Sequence, residues 1–278
     1  MHTQAQTACK HYPGGQHSNA GEWPAENGLP PILAWYQPKF ELATGRIVGV
    51  EALARVMDPV HGASSAAGLL ERATPAALQN LTHSMLSQAL CAQQDWAASG
   101  YPLTVSVNVP ASVIGERTAR ERLLRIVRES GVAPERIVLE IVETGSADDN
   151  AALPEATKEL RSCGLGIAID DFRIGHNSLL RLMQCHFTEL KIDRAFVQHA
   201  ENDTRTRAAL DACVLLGKRL GLHITAEGVE TAADLRRVST AGCDFAQGFA
   251  MSRALPQQAL MDMLSHSPLA IHFQPPSI

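Results

Sequence analysis

The chain has 278 residues, 45% of them hydrophobic and 19% charged, with a formal net charge of −5. That length holds one large barrel or two smaller domains, and the negative charge excludes an electrostatic grip on duplex nucleic acid while permitting a small phosphorylated ligand held by a few local groups. No apolar run approaches the ~20 residues of a membrane span and the N-terminus has no apolar core of the signal-peptide type, so a soluble, cytoplasmic protein with no membrane partner is expected. The cysteines (Cys9, Cys91, Cys163, Cys185, Cys213, Cys243) form no C-x-x-C pair and mostly sit inside apolar patterns, which reads as buried reduced thiols rather than a disulfide framework.

Residues 1–30 mix Gly, Pro, Gln, Asn and Ser without an apolar period and read as a flexible leader, with His2, His11 and His17 as scattered solvated side chains. A barrel domain is expected over 31–265 and a tail over 266–278. The first strand candidates, about 33–38 and 46–51, are joined by ELATG, which is too short to cross a sheet, so this pair must be antiparallel. A helical pattern follows over 76–98, with Leu78, Leu81, Met85, Leu86 and Leu90 on one face. From there one device recurs five times. A helix-like stretch meets Gly100, Gly131, Gly164, Gly221 or Gly242, and an apolar β-rich run then ends on an acid or an amide.

With a further candidate at 188–192, the strands are about 103–108, 137–141, 166–170, 188–192, 223–226 and 244–248, which with the first pair makes eight. Thr231 and Asp234 form a capping-box pattern before one of the later helices. Eight strands with interleaved helices predict an α/β fold, a modified TIM-type (β/α)8 barrel with an antiparallel first strand pair; an open doubly wound sheet is the alternative. In either architecture the parallel strand ends share one rim. Glu51, Asn108, Glu140, Asp170, Asp171, Glu227 and Gln247 therefore converge there, with Lys191 beside them.

Buried acids on one rim repel one another and lose hydration, so a positive charge must compensate them. An all-oxygen set favours a hard cation, Mg²⁺ or Mn²⁺, over zinc. Consecutive strand residues face opposite ways, so Asp170 and Asp171 both reach the site only if the strand ends there and Asp171 lies on the following loop. One carboxylate then bridges two ions ~3.5–4 Å apart, the layout of two-metal phosphoryl chemistry. Taken singly, each position has a plainer reading: a strand-end acid caps a helix, Lys191 pairs with an acid, and Asn108 before Pro110 caps a turn.

At these residues the chain resembles the EAL family of cyclic-di-GMP phosphodiesterases over residues 33 to 255. The signature is Glu51-Ala52-Leu53 within VGVEALAR. In family order it is joined by YQPK (36–39), VNV around Asn108, EIVE (140–143), IDDF (169–172), LKIDR (190–194), AEGVE (226–230) and GCDFAQGF (242–249). The resemblance implies that Glu51, Asn108, Glu140 and Asp170 hold one metal, and that Asp170, Asp171 and Glu227 hold a second. Lys191 would contact the attacking water and the phosphate, Gln247 would sit near that water, and with Glu51 they would be the catalytic residues; Gln37, Leu53 and Arg55, with Asn108 and Lys191, would hold the dinucleotide. It further implies bacterial second-messenger signalling, linear pGpG as product, Ca²⁺ that binds but inhibits, and a homodimer contact linked to the metal site through a loop anchored by Glu143.

The chain departs from the family in that loop. Where F-G-T-G-Y-S-S-L is usual, it has Phe172-Arg173-Ile174-Gly175-His176-Asn177-Ser178-Leu179. Arginine for glycine restricts the backbone and isoleucine for threonine deletes a hydroxyl. Val142 stands where threonine is common, and Thr74 replaces a usual glutamate. The alternative is therefore a cyclic-di-GMP receptor or protein-binding regulatory domain, of low activity or inactive, with a degenerate loop at 173–177. A barrel enzyme acting on carbon acids would share the acids and the lysine, but it does not predict Gln37, Arg55 and Gln247 together.

Overall fold

The computed structural model describes residues 32–58, 62–70, 73–142, 151–172, 176–198, 200 and 202–266. In chain order its elements are β1 (Ile32–Glu41), β2 (Ile47–Asp58), β3 (Gly62–Ser65), α1 (Ala67–Leu70), α2 (Pro75–Ala98), β4 (Thr104–Pro110), α3 (Ala111–Gly115) and α4 (Arg117–Ser130). They continue as β5 (Ile137–Val142), α5 (Leu153–Ser162), β6 (Gly166–Phe172), α6 (His176–Gln184), β7 (Glu189–Ile192), α7 (Arg194–Val197), α8 (Thr204–Arg219), β8 (His223–Ala226), α9 (Ala232–Ala241), β9 (Phe245–Ala246) and α10 (Gln257–His266).

The sheet runs β1-β9-β8-β7-β6-β5-β4-β2, and a second pairing of β1 with β2 closes it. Closure rules out the open doubly wound alternative. β1 is antiparallel to both its neighbours, β2 and β9, while β2 and the six later barrel strands pair in parallel. The short ELATG connection dictates that reversal, and all eight expected strands are present. β3 is an addition, pairing only with the far end of β2.

Strand alternation sorts the side chains into two environments. Val50, Ala52, Val105, Val107, Leu139, Ile141, Ile167, Ile169, Leu190, Ile192 and Ile224 face outward and are buried against the helices. This sleeve forms two apolar clusters, and at roughly 25 cal/mol per Å² its burial is the main stabilising term. The alternate, inward positions are mostly polar, with Val138 and Ala168 among the exceptions. The helices end as the glycine punctuation predicts: Gly100, Gly131, Gly164, Gly221 and Gly242 all have positive φ, between 72° and 91°. The Thr231–Asp234 capping box is formed in both directions. Thr74 is the N-cap of α2 and accepts from the Ala77 amide, a local role for the residue that departs from the family.

Two local expectations are corrected. β2 does not end at Glu51 but continues to Asp58, because ALARVMD contains no breaker and pairs on both sides with β1 and β3. Parallel pairing with β4 stops at Ala52, so Glu51 still lies at the barrel rim while the rest of β2 projects beyond it. The described cysteines are all free thiols, but only Cys213 and Cys243 are buried; Cys163 is exposed. No described helix is long and apolar enough to cross a membrane. The leader at 1–30, Glu143 and loop residues 173–175 lie outside the described residues, as does the tail beyond His266, and nothing is described of the His176 and Asn177 side chains.

Candidate active site

Lys191 is the centre of the rim. It stands on β7, is fully buried, and its Nζ lies 2.5 Å from Glu140 Oε2, 2.8 Å from Asp170 Oδ1, 2.8 Å from Glu227 Oε1 and 3.3 Å from Glu51 Oε2. Each acid comes from a different part of the barrel: β2, β5, β6 and the turn after β8. Asn108, in register with Glu140 on the next strand, donates from Nδ2 to Glu51 Oε1 at 2.7 Å. Gln247 donates from Nε2 to Glu51 Oε2 at 2.7 Å and to Gln37 Oε1 at 3.2 Å. Gln37 faces Glu51 across the β1–β2 pairing and donates in turn to the Ser252 carbonyl.

The reading of Asp171 needs correction. It is not on a loop but within β6, where the register with β7 slips between Ile169 and Phe172. Asp171 has φ of +48°, the only non-glycine residue with positive φ among the described residues. That bulge breaks the alternation, so both consecutive carboxylates face the site, a recurrent use of bulges beside active sites. Carboxylate oxygens of Asp170, Asp171 and Glu227 consequently lie within 4.8 Å of one another.

The electrostatics are those of an over-filled anionic site. Loss of hydration, then the Glu51 charge, pushes Glu140 well above the usual carboxylate range. Burial, then repulsion from Asp170 and Glu51, opposed by Lys191, raises Glu227 to about 8. Asp171 rises to about 6, through desolvation first and then Asp170 and Asp193. Burial also acts to raise Glu51, but the Lys191 ammonium and hydrogen bonds from Asn108 and Gln247 outweigh it and hold this carboxyl below its ordinary value. Lys191 is driven well up: burial acts against its charge, and the four carboxylates, Asp170 foremost, overcome that.

Five carboxylates (Glu51, Glu140, Asp170, Asp171, Glu227) thus face one ammonium and, when ionised, leave four negative charges uncompensated. Two divalent cations carry the matching charge. Although Asp170 Oδ1 is within ion-pair distance of Lys191, the approach is off the hydrogen-bonding direction, and this buried oxygen has no hydrogen-bond partner. A buried oxygen that is ion-paired but accepts no hydrogen bond keeps lone pairs free within an all-oxygen donor set, which fits a hard divalent cation.

Leu53 and Arg55 follow Glu51 at two-residue intervals on the same face of β2, half-buried on the segment that projects past the rim. The geometry brings Gln37, Glu51, Asn108, Glu140, Asp170, Asp171, Lys191, Glu227 and Gln247 together and leaves Leu53 and Arg55 at the periphery.

Two features escaped the sequence reading. Asp193, in LKIDR, is buried, caps α7 by accepting from Ala195 N and acts electrostatically on Asp171. One layer below Lys191, Lys39 Nζ contacts both Glu189 oxygens at 2.9 Å, and Thr225 Oγ1 donates to Glu189 at 2.5 Å. Lys39 follows Gln37, and Glu189 precedes Lys191, by two residues, so strand alternation placed both inward. Because Lys39 and Glu189 are both buried, Glu189→Gln leaves an ammonium in the barrel without its counter-charge and is expected to cost about 3–5 kcal/mol in denaturant unfolding. The double variant Lys39→Met with Glu189→Met should recover most of that loss; a single variant as stable as the wild type would show that water reaches the pair.

Comparison with known proteins follows this geometry. The family model described as EAL domain matches residues 31–254. The chain is 34% identical over 235 residues to the cyclic di-GMP phosphodiesterase RocR of Pseudomonas aeruginosa, covering 84% of this chain and 60% of RocR. It is 32% identical over 232 residues to the bifunctional diguanylate cyclase/cyclic di-GMP phosphodiesterase MucR of the same organism, covering 83% of this chain and 34% of MucR. The chain thus matches 60% of RocR's length and 34% of MucR's, less than two thirds of either. Among solved structures, the PaMucR phosphodiesterase in complex with c-di-GMP superposes with a TM-score of 0.75 at 32% identity, covering 82% of this chain and 94% of that one.

Proposed function

The chain belongs to the EAL domain family, and from that premise we propose that it is a metal-dependent phosphodiesterase that opens cyclic-di-GMP to linear pGpG in cytoplasmic second-messenger signalling. The observation that carries the reading is the convergence of Glu51, Glu140, Asp170 and Glu227 on Lys191, with Asp171 turned into the same site. Glu51, Asn108, Glu140 and Asp170 would hold one Mg²⁺ or Mn²⁺, and Asp170, Asp171 and Glu227 the other. When bound, such a pair supplies Lewis-acid activation of water and of the phosphodiester. Gln247, its amide fixed between Gln37 and Glu51, orients the attacking water. The Lys191 ammonium, held where the four carboxylates meet, stabilises charge building on the phosphoryl oxygens. Arg55 grips a phosphate from the projecting end of β2, and Leu53 and Gln37 line the path of the dinucleotide.

The test is hydrolysis of cyclic-di-GMP with Mg²⁺ or Mn²⁺, beside a binding titration in Ca²⁺, whose looser coordination should support binding and little turnover. Turnover undiminished by excess chelator would sink the metal-dependent reading. The altered loop favours a second reading, a receptor of low activity that acts as a homodimer. If the loop limits the rate through a weak second metal site, Arg173→Gly with Ile174→Thr should raise turnover several-fold or more, a tenfold step being only ~1.4 kcal/mol of barrier. A repaired variant no faster than a wild type whose rate is already independent of metal concentration would clear the loop of that role.

A further inference from the structure

The turn after β9 presents an aromatic side chain to solvent at the catalytic face. Phe249 is 52% exposed and is the aromatic member among the exposed large apolar side chains of the described residues. The loops that follow the parallel strands leave the barrel on the rim where the acids converge, and this loop is fastened to that rim on both sides. Val229 N donates to the Gln247 carbonyl at 3.1 Å, and Ala250 N donates to the Val229 carbonyl at 3.0 Å. Gly248 packs so closely on Val229 that an added Cβ would stand 2.1 Å from its carbonyl oxygen. The Met251 and Ser252 amides both return to the Gly248 carbonyl, and the Ser252 carbonyl accepts from Gln37. Phe249 is therefore held on a closed turn, two residues from Gln247 and so no more than ~7 Å along the chain from it.

The ring has a companion. The Arg253 guanidinium carbon lies 4.1 Å from the Phe249 ring centroid, and among the described residues no carboxylate is paired with it. A planar guanidinium laid on a ring makes a flat, cationic, aromatic surface, unlike a surface charge waving in water. Such a surface suits a nucleobase: bases stack on aromatic side chains and on guanidinium planes, and the arginine fork matches the O6/N7 edge of guanine, not the corresponding edge of adenine.

We propose that Phe249 and Arg253 form a base platform at the rim: one guanine of the bound dinucleotide stacks on the Phe249 ring in the place the guanidinium holds in the free protein, and Arg253, swung into the plane of the base, pairs with its O6/N7 edge. The proposal rests on the reading of the site as one for cyclic-di-GMP and names the residues that choose the base. The hydrogen bonds from Gln37, Val229 and Ala250 preset the turn that carries the ring, so the ordering cost of stacking is confined to the Phe249 and Arg253 side chains.

The experiment is calorimetric titration of the full chain in Ca²⁺ with cyclic-di-GMP and, separately, cyclic-di-AMP, followed by steady-state hydrolysis in Mn²⁺. Phe249→Ala should weaken cyclic-di-GMP binding about tenfold, equivalent to ~1.4 kcal/mol, while Phe249→Tyr stays within about twofold of wild type, since the stacking face is retained. Arg253→Ala should narrow the preference for cyclic-di-GMP over cyclic-di-AMP several-fold. In hydrolysis both losses should fall on KM rather than kcat, a split that a purely structural role would not produce. Both side chains are exposed, so thermal unfolding of the variants should match the wild type. A wild type that binds while Phe249→Ala and Arg253→Ala bind equally well overturns the platform alone. A wild type that binds neither dinucleotide overturns the platform together with the cyclic-di-GMP reading.

Discussion

Glu51→Ala and Asp170→Asn are expected to abolish turnover of cyclic-di-GMP, by at least a thousandfold, while the barrel survives. A thousandfold loss is only ~4 kcal/mol of barrier, a modest amount for a side chain proposed to serve both cation sites (Asp170) or one that receives Asn108, Gln247 and Lys191 at one point (Glu51). Stability should fall far less than activity, because the fold rests on the outward apolar sleeve; Glu51→Ala leaves Asn108 Nδ2 and Gln247 Nε2 without that acceptor, a cost of ~1–3 kcal/mol. A readout independent of catalysis follows by linkage: divalent cation at a hundred times its Kd stabilises the folded state by ~2.7 kcal/mol. For a domain of this size that raises Tm by several degrees. The wild type should show the shift with Mg²⁺ or Mn²⁺ and Glu51→Ala should show little of it. Equal thermal shifts in wild type and variant would remove Glu51 from the metal site even if activity were lost.

The barrel was legible because its signals are local and repeated. A glycine after five of the helices, an apolar run, and a polar residue at the strand end require nothing beyond neighbouring positions. Convergence of the rim residues then follows from parallel topology alone. What escaped depends on longer range or on single dihedrals. The extension of β2 past Glu51 is stabilised by β3, four residues of GASS with no apolar pattern of their own. The left-handed turn at Asp171 is not marked by a glycine and is dictated by the register slip against β7. The Lys39–Glu189 pair joins residues 150 positions apart across the lumen, and neither position looks unusual in its own strand. Lys191 shows both sides: its arrival at the rim was readable, while its place among four carboxylates emerged only from the packed barrel.

That place separates the roles of Lys191 and Arg55. Lys191→Ala is expected to cut kcat at least a hundredfold, ~2.7 kcal/mol of lost transition-state stabilisation, in line with removing one preorganised charge from a water-poor site. Arg55→Ala should instead weaken affinity for the dinucleotide, with kcat largely kept, because a phosphate contact on a projecting strand acts alike on bound substrate and transition state. The structure adds a sign that chemistry alone would not supply. The Lys191 ammonium sits on oxygens of Glu51, Glu140, Asp170 and Glu227, the carboxylates proposed to hold the cations, so on that reading the two compete, and removing the lysine frees four carboxylates. Lys191→Ala should therefore bind Mg²⁺ or Mn²⁺ at least as tightly as the wild type, and gain at least as large a thermal shift, while losing turnover. Lys191→Arg should not rescue the rate, since a planar fork cannot replace a compact ammonium inside that shell. If Lys191→Ala lost metal affinity and turnover in parallel, the lysine would be organising the acids rather than acting on the phosphate, and its catalytic assignment would have to be withdrawn.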